Sequence, residues 1–296
     1  MYHQPVMLTQ CIEGLNLQPG GVYVDATYGG GGHARAILDE MEGGVLIAFD
    51  QDADALSQLA EDERLVFVPA NFRYLSHWLD YLGYGPVDGV LADLGVSSHQ
   101  LNQPERGFAY KFDSPLDMRM NTLSERSVAD IIGELDAEEL QSVLSRYGEI
   151  RNAKTLAQAL VDHKKSQDFS RSSDLNQVIE KCARGAKHRY FAQVYQALRI
   201  ELNDEMGALD DFFLALNDWV RPGGRLVAMS YHSLEDRKVK QLIKKGHPKG
   251  KLQEDEFGRR EKHWKEIVKG VVKPTEREIQ ENNRARSAKL RIAEKL

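Results

Sequence analysis

The chain has 296 residues, 42% of them hydrophobic and 28% charged, which predicts a soluble globular protein of one large or two modest domains. It has no apolar run long enough to span a bilayer and no signal-peptide pattern at its start, so we expect a cytoplasmic protein without a membrane partner. Its two cysteines, Cys11 and Cys182, and its nine scattered histidines show no metal-binding spacing. They argue against a disulfide framework, and no metal site is predicted.

The formal net charge of −6 argues at first against a nucleic-acid partner, but the charge is unevenly distributed. Residues 237–265 hold 11 basic and 4 acidic residues, and residues 273–296 hold 7 and 4. Residues 40–63 hold 8 acidic residues and no Lys or Arg. A surface polarised in this way can steer a polyanion to one face, although a solvated lysine-rich loop would give the same pattern.

A run of four glycines is the most informative local feature. The alternating apolar residues of Val22–Asp25 predict a buried strand, Gly29–Gly32 follow it, and a helix begins at His33. Glycines allow a tight turn and the close approach of a ligand, and the free N–H groups of a helix start favour polar or anionic groups. Strand, glycine loop and helix together are typical of a nucleotide-cofactor site.

Two cofactor classes fit this loop. Gly29, Gly31 and Ala34 satisfy the dinucleotide pattern G-x-G-x-x-A, but four consecutive glycines satisfy many patterns. Asp25 ends the first strand, where methyltransferases that use S-adenosylmethionine carry an acidic residue that orients the loop or pairs with the cofactor's ammonium group. Because a carboxylate there would repel a pyrophosphate, Asp25 favours S-adenosylmethionine over NAD.

The next predicted strands also end in polar residues. Asp50 ends the second strand and is placed to accept the ribose hydroxyls of an adenosine. The third strand leads to Phe72, whose ring we expect along the adenine, and the fourth ends at Asp93. Each acid alone is as well explained as a helix cap, but three at one sheet edge beside a glycine loop predict a ligand pocket.

Strand and helix patterns alternate up to about residue 103, and a helical region follows. Three apolar stripes at helical spacing lie within 128–135, 140–147 and 175–182, and Asp136 with Glu139 marks a helix start. A turn at 221–224 precedes a strand at 224–230, and two β-rich pieces at 265–272 and 288–293 predict an antiparallel edge pair. The predicted domains are therefore 1–103 and 201–296, forming one doubly wound unit, and 104–200, forming a helical insert. The polar stretch 248–258 is expected to be a mobile loop.

Eight motifs in order along the chain carry a family resemblance: His3–Met7, Gly30–His33, Asp93–Ser98, Glu105–Phe108, Pro115–Met120, Gln196–Ile200, His232–Arg237 and Arg284–Ala288. On these residues the chain resembles the bacterial ribosomal RNA small subunit methyltransferase H family, also called RsmH or MraW. The motifs cover essentially the whole chain, which makes chance agreement very improbable.

The resemblance implies an α/β fold, with a Rossmann-like class I S-adenosylmethionine-dependent methyltransferase domain and an inserted all-helical substrate-recognition domain. It implies a 16S rRNA (cytosine-N4)-methyltransferase acting on a decoding-centre cytidine, C1402 in standard rRNA numbering. The implied partner is 16S rRNA in the small ribosomal subunit, and a homodimer is possible. The implied cofactor contacts are Gly31, Gly32, His33, Asp50, Phe72, Asp93 and Gln100.

Further residues are hypotheses for catalysis and RNA binding. Asp93 is expected to position the target amine or the methionine moiety. Tyr231 is expected to stack on the base and His232 to bond to it or take a proton, although both equally fit loop packing. The expected RNA contacts are Arg106, Arg119, Lys244, Lys245, Arg284 and Arg286.

Three other functions compete with this interpretation. An NAD-linked oxidoreductase would use the same sheet, but no hydride-transfer constellation of His or Lys is evident. A non-catalytic RNA-binding factor would keep the fold without needing the intact set of Asp50, Asp93 and Gln100. A methyltransferase for DNA or protein is excluded only by the family resemblance.

Overall fold

The structure is a computed structural model that describes residues 5–250 and 262–296. His3 and Gln4 of the first motif, and the part 251–258 of the predicted loop, lie outside the described residues. The chain folds into two compact units, Met1–Gly95 with Met206–Leu296 and Val96–Glu205. We call them the sheet unit and the helical unit.

The unit boundaries differ from the predicted 103/104 and 200/201 by a few residues. Leu94 is still bound to the sheet, since its N–H donates to the carbonyl of Met229 at 3.0 Å. Leu101, in contrast, packs against the core of the helical unit. The boundary therefore falls directly after the fourth strand, before the short helix that the sequence assigned to the first part.

The helices and strands follow in chain order. The helices are α1 (Leu8–Leu15), α2 (Gly32–Glu40), α3 (Leu75–Tyr81), α4 (Ser98–Asn102), α5 (Val128–Glu134), α6 (Ala137–Gly148), α7 (Ala153–Lys164), α8 (Ser172–Cys182), α9 (Lys187–Leu202), α10 (Glu205–Trp219), α11 (Ser233–Lys245) and α12 (Glu276–Glu281). The strands are β1 (Val22–Asp25), β2 (Val45–Phe49), β3 (Leu65–Val68), β4 (Val87–Asp93), β5 (Val220–Ser230), β6 (Trp264–Glu266) and β7 (Lys289–Lys295).

The seven strands form one sheet in the order β3-β2-β1-β4-β5-β7-β6. Strands β1 to β5 are parallel to one another, and β7 runs antiparallel to both β5 and β6. This order confirms the predicted Rossmann-like α/β class. The strand order changes direction between β1 and β4, because β2 and β3 follow on the far side of β1 and β5 follows on the far side of β4. Ligands are therefore expected at the carboxyl ends of these central strands.

The central strands are buried, as expected for parallel strands covered on both faces. All residues from Val87 to Ala92 in β4 are buried. The predicted turn at 221–224 lies within β5 instead of before it. The register jumps there, because Val87 pairs with Val220 and Gly89 pairs with Arg225, so the intervening residues bulge from the ladder.

The predicted edge pair forms, with a shorter first strand than expected. β6 covers only Trp264–Glu266, and the rest of the predicted piece returns to the sheet at a single bridge between Val272 and Leu290. Trp264 anchors the strand, since it is 1% exposed and its indole N–H donates to Asn217 Oδ1 at 2.8 Å.

The helical unit holds the three predicted helices as α5, α6 and α8, together with α7 and α9, whose apolar stripes are less regular. Its core draws on all five of these helices, with buried residues that include Val128, Leu140, Leu156, Leu175 and Val194. Asp136 caps α6 and forms a capping box with Glu139, as predicted. Among the described residues, no helix of either unit is both long and apolar enough to cross a membrane.

Candidate cofactor and active site

The glycine loop requires glycine at its last turn. Gly29 and Gly31 have φ values of +53° and +75°, in the left-handed region. A Cβ atom on Gly31 would lie 2.6 Å from the Tyr28 hydroxyl, whereas one on Gly30 would meet nothing within 4 Å. The loop is therefore tightly packed behind Gly31 and open at Gly30, which leaves room for a ligand against its backbone.

Asp50, at the end of β2, holds this loop. Its Oδ2 accepts the N–H of Gly29 at 2.7 Å, and its Oδ1 accepts the N–H of Asp52 at 2.8 Å. Burial raises the pKa of Asp50 to about 6. A carboxylate has about four acceptor positions, so Asp50 can orient the loop and still accept hydroxyl groups from a ligand.

Asp25, at the end of β1, is a buried acid with spare bonding capacity. Its side chain is 1% exposed, and its Oδ1 accepts the N–H of Thr27 at 3.0 Å. Its Oδ2 has no hydrogen-bond partner among the described residues. Burial raises the pKa of Asp25 to about 6, and the nearby Asp93 and Asp50 add to this shift while His33 opposes it. A buried acid of this kind is stabilised by a cation placed beside it.

Asp93, at the end of β4, lies between Tyr231 and His33. The Tyr231 hydroxyl donates to Asp93 Oδ1 at 2.8 Å, and His33 Nδ1 lies 3.8 Å from Asp93 Oδ2. The N–H of Asp93 donates to the Thr27 hydroxyl at 2.8 Å. Burial raises the pKa of Asp93 to about 7 and lowers that of His33. The Tyr231 hydroxyl thus fixes one oxygen of Asp93, and the raised pKa brings its titration near neutral pH.

These three acids give the sheet edge a consistent electrostatic character. Asp25 and Asp50 both have a pKa of about 6, and Asp93 has a pKa of about 7, because each loses hydration and Asp25 also feels the charge of the other two. Such a site favours a cation and repels phosphate groups. The orphaned Asp25 Oδ2 and the open face of Gly30 fit S-adenosylmethionine, which carries a sulfonium and an ammonium group.

Phe72 and Gln100, two of the predicted cofactor contacts, each contact another residue of the unit to which they belong. Phe72 begins a short 3-10 helix after β3, and its ring centroid lies 5.0 Å from that of Phe212. Gln100 belongs to the helical unit, where its Oε1 accepts the N–H of Ser97 at 3.0 Å in a capping box. For Gln100 the structure shows a helix-capping contact, and its cofactor contact stays a prediction.

Glu235 organises the turn after β5, a role that the sequence interpretation missed. Its Oε2 accepts the N–H groups of Tyr231 at 2.8 Å and His232 at 3.2 Å, and its Oε1 lies 3.0 Å from His232 Nε2. The signal was present in the sequence, because an acid three residues into a helix is the capping-box spacing. The Tyr231 hydroxyl thus binds Asp93, and His232 lies beside Glu235. Stacking of Tyr231 on the base and a contact of His232 with it stay predictions.

Comparison with known proteins decides the family. The model of the MraW methylase family matches residues 1–296. The chain belongs to the MraW methylase family. It is 48% identical to ribosomal RNA small subunit methyltransferase H of Cytophaga hutchinsonii, with 100% of both chains covered. It is 47% identical to the protein of the same name from Parabacteroides distasonis, covering 100% of this chain and 98% of that one.

Solved structures resemble the chain more loosely. An rRNA methylase from Streptococcus thermophilus is 13% identical with a TM-score of 0.43, covering 100% of this chain and 99% of that one. A putative methyltransferase from Streptococcus mutans in complex with SAH is 13% identical with a TM-score of 0.40, covering 100% of both chains. Family membership rests on the whole-chain match to the MraW methylases.

As a MraW methylase, the protein uses S-adenosylmethionine as its methyl donor. This confirms the prediction made from Asp25 and rules out the NAD-linked alternative. The three carboxylates explain the choice physically, because they stabilise positive charge at the positions where a dinucleotide would bring its phosphates.

Two of the arginines predicted to bind RNA have internal roles in this MraW methylase. Arg106 is 8% exposed, and its guanidinium donates to the carbonyls of Arg119 at 3.0 Å and Met120 at 3.4 Å. Arg119 binds Asp117 through two hydrogen bonds of 2.8 and 2.7 Å and donates to the carbonyl of Ser124 at 2.6 Å. These hydrogen bonds serve the helical unit itself, and an RNA contact of either residue stays a prediction.

The other predicted RNA contacts lie in the sheet unit. Lys244 and Lys245 are exposed in the last turn of α11, and Lys245 Nζ donates to the carbonyl of Gly250 at 3.2 Å. Arg286 is exposed, whereas Arg284 is half-buried and its pKa is lowered by burial. Lys244, Lys245 and Arg286 therefore present their charge to solvent.

Proposed function

We propose that the protein transfers the methyl group of S-adenosylmethionine to the exocyclic N4 amine of a cytidine in 16S rRNA, C1402 in standard numbering. Family membership and relatives named ribosomal RNA small subunit methyltransferase H support the substrate class. The observation that carries the proposal is the cluster of three carboxylates with raised pKa values at the end of β1, β2 and β4, of which Asp25 is buried and the other two are partly buried.

In this proposal two of the carboxylates serve the methyl donor. S-adenosylmethionine supplies, when bound, an electrophilic methyl group on a positively charged sulfur. Asp25, whose Oδ2 lacks a partner among the described residues, pairs with the positively charged methionine end. Asp50 accepts the ribose hydroxyls with the acceptor positions that Gly29 and Asp52 leave free.

Asp93 serves the methyl acceptor. The lone pair of the cytosine amine is delocalised into the ring, so the amine is a weak nucleophile that has to be held in line with the methyl group. An ionised Asp93 accepts a hydrogen bond from this amine and holds it in that geometry. Tyr231 fixes one oxygen of the carboxylate at 2.8 Å, so the acceptor is already oriented before the base arrives.

RNA binding in this proposal uses both units. The cytidine has to leave its stack to reach a buried carboxylate, at a cost of about a few kcal/mol. The exposed Lys244, Lys245 and Arg286 of the sheet unit contact phosphates and offset part of this cost. The helical unit recognises the RNA around the target. We expect the enzyme in the cytoplasm, because its proposed substrate RNA belongs to the small ribosomal subunit.

The test is methyl transfer from radiolabelled S-adenosylmethionine to small ribosomal subunits and to naked 16S rRNA, both from cells that lack the gene. We expect the wild-type protein to label at least one of these RNAs and Asp93→Ala to reduce the rate by roughly 100-fold or more at saturating cofactor. Asp93→Asn, which keeps the size of the side chain and one acceptor oxygen, is the matched control and should retain partial activity. A folded Asp93→Ala protein with an undiminished rate would overturn the role of Asp93, and no labelling by the wild-type protein would overturn the function.

A further inference from the structure

A short segment before α1, which we call the N-terminal strap, lies against the start of α2. It comprises Pro5, Val6 and Met7, and the last two are buried, with exposures of 7% and 1%. A Cβ atom on Gly32 would clash with Pro5 Cγ. The strap therefore occupies the space that a side chain at the first residue of α2 would need.

Two anchors fix the strap, and they come from opposite ends of the sequence. The N–H of Met7 donates to Glu278 Oε1 of α12 at 2.5 Å. The carbonyl oxygen of Val6 lies 3.1 Å from Nε2 of His33. Met7 also has φ +51°, a left-handed conformation that a non-glycine residue adopts only when its surroundings enforce it. The bond to Glu278 is such a constraint, because it fixes the direction of the Met7 N–H.

The Val6 contact determines where His33 carries its proton. A carbonyl oxygen only accepts hydrogen bonds, so Nε2 of His33 has to be the protonated nitrogen in this contact. In the neutral ring Nδ1 is then an acceptor, and it is Nδ1 that lies 3.8 Å from Asp93 Oδ2. The strap thereby decides whether the imidazole presents an acceptor or a donor to Asp93.

We propose that Glu278 is a positioning residue for Asp93, acting through the N-terminal strap on the tautomer of His33. Glu278 holds the Met7 N–H, this places the adjacent Val6 carbonyl, and the carbonyl selects the Nε2–H form of His33. The effect of Glu278 on methyl transfer rests on the proposed function, but its effect on the His33 tautomer does not.

The test uses 15N-histidine NMR of the ligand-free protein, with His33→Gln to assign the His33 signals. The wild-type protein and Glu278→Gln, whose amide oxygen still accepts the Met7 N–H, should show mainly the Nε2–H tautomer. Glu278→Ala should populate the Nδ1–H tautomer as well. Glu276→Ala, an exposed residue of the same helix, is the matched control and should leave the signals unchanged.

Activity provides the second readout. We expect kcat for methyl transfer to fall at least tenfold in Glu278→Ala and to recover to within about threefold of wild type in Glu278→Gln. If Glu278→Ala does not fold, Glu278→Asp shortens the acceptor by one methylene and should mix the tautomers. A folded variant without the Met7 contact whose His33 stays in the Nε2–H form would overturn the proposal. Absence of methyl transfer by wild type would overturn the proposed function and leave the tautomer result standing.

Discussion

At the scale of single residues, the site depends on acids whose partners are distant in the sequence. The sequence predicts Asp25, Asp50 and Asp93 at strand ends, because strand periodicity and a terminal acid are local signals. It does not predict that Asp93 binds Tyr231, 138 residues away, or that Met7 binds Glu278, 271 residues away. Those contacts exist only once the sheet has brought β1, β4 and β5 together.

The raised pKa values of these acids predict that cofactor affinity depends on pH. Asp25 and Asp50 have a pKa of about 6 and Asp93 of about 7, and a cationic ligand favours their ionised forms. The affinity for S-adenosylmethionine should therefore rise between about pH 5.5 and 7.5, by up to about tenfold per pH unit for each proton released. Isothermal titration calorimetry in buffers of different ionisation enthalpy would show proton release on binding near pH 6.5.

The control ligand for this experiment is S-adenosylhomocysteine, which has the same ammonium group but no positive charge on sulfur. Its affinity should change less with pH than that of S-adenosylmethionine. Equal pH dependence for the two ligands would show that the acids respond to the ammonium group that both ligands share, and proton uptake on binding would contradict the pairing of Asp25 with the positively charged methionine end.

The same pKa values predict how the stability of the ligand-free protein changes with pH. Each of the three acids is protonated more readily in the folded chain than in the unfolded one, where its pKa is about 3.9. Their contribution to stability is therefore present below about pH 4 and is lost as pH rises through 6 to 7. Asp25→Asn should reduce the loss of unfolding free energy between pH 4 and 7, measured by urea denaturation. An unchanged pH dependence in this variant would contradict a raised pKa for Asp25.

At the scale of elements, the sequence predicts helix starts better than strand irregularities. Asp136 with Glu139 marked the start of α6 because a capping box is a local pattern. The sequence predicted a turn where β5 has a bulge. Pro and Gly residues such as those at 222–224 are found in both turns and bulges, and only the pairing with β4 distinguishes the two structures.

The cap of α6 gives a stability prediction for the helical unit. The side chain of Asp136 accepts the N–H groups of Glu138 at 2.8 Å and Glu139 at 2.9 Å. Asp136→Ala should lower the free energy of unfolding by about 1 kcal/mol, because both donors lose their partner at the helix start. Asp136→Asn, which can still cap, should cost less. Urea denaturation followed by circular dichroism measures both, and an equal loss in the two variants would argue against the cap.

At the scale of the whole molecule, the sheet unit is electrostatically polarised. The acidic stretch 40–63 leads from α2 through β2 toward β3, which lies at one edge of the sheet, whereas β7 and β6 lie at the other. The basic residues of α11 and of the last strands belong to that second edge. The sequence predicts this asymmetry from charge counts, but it does not predict which cations are already paired, such as Lys238 and Lys249 with Asp210.

The exposed lysines of α11 should control the salt dependence of RNA binding. Lys240 and Lys244 are exposed, and changing both to Gln should weaken binding and lower the slope of log affinity against log salt by about 1.4 to 1.8. Lys165→Gln with Lys181→Gln, two exposed lysines of the helical unit, removes the same charge and measures the contribution of that unit separately. Filter binding of 16S rRNA at several salt concentrations measures the slope. An unchanged slope in the α11 variant would show that this face is ordinary surface.

A homodimer stays a prediction, as does recognition of the target by the helical unit. We propose that a site of three carboxylates, at the ends of β1, β2 and β4, serves methyl transfer to the N4 amine of one rRNA cytidine. The most direct measurement is mass-spectrometric mapping of 16S rRNA methylated in vitro with isotope-labelled S-adenosylmethionine. We expect one labelled nucleotide, C1402, carrying the methyl group on N4. A label at another nucleotide, or on carbon 5 or the ribose of that cytidine, would contradict it.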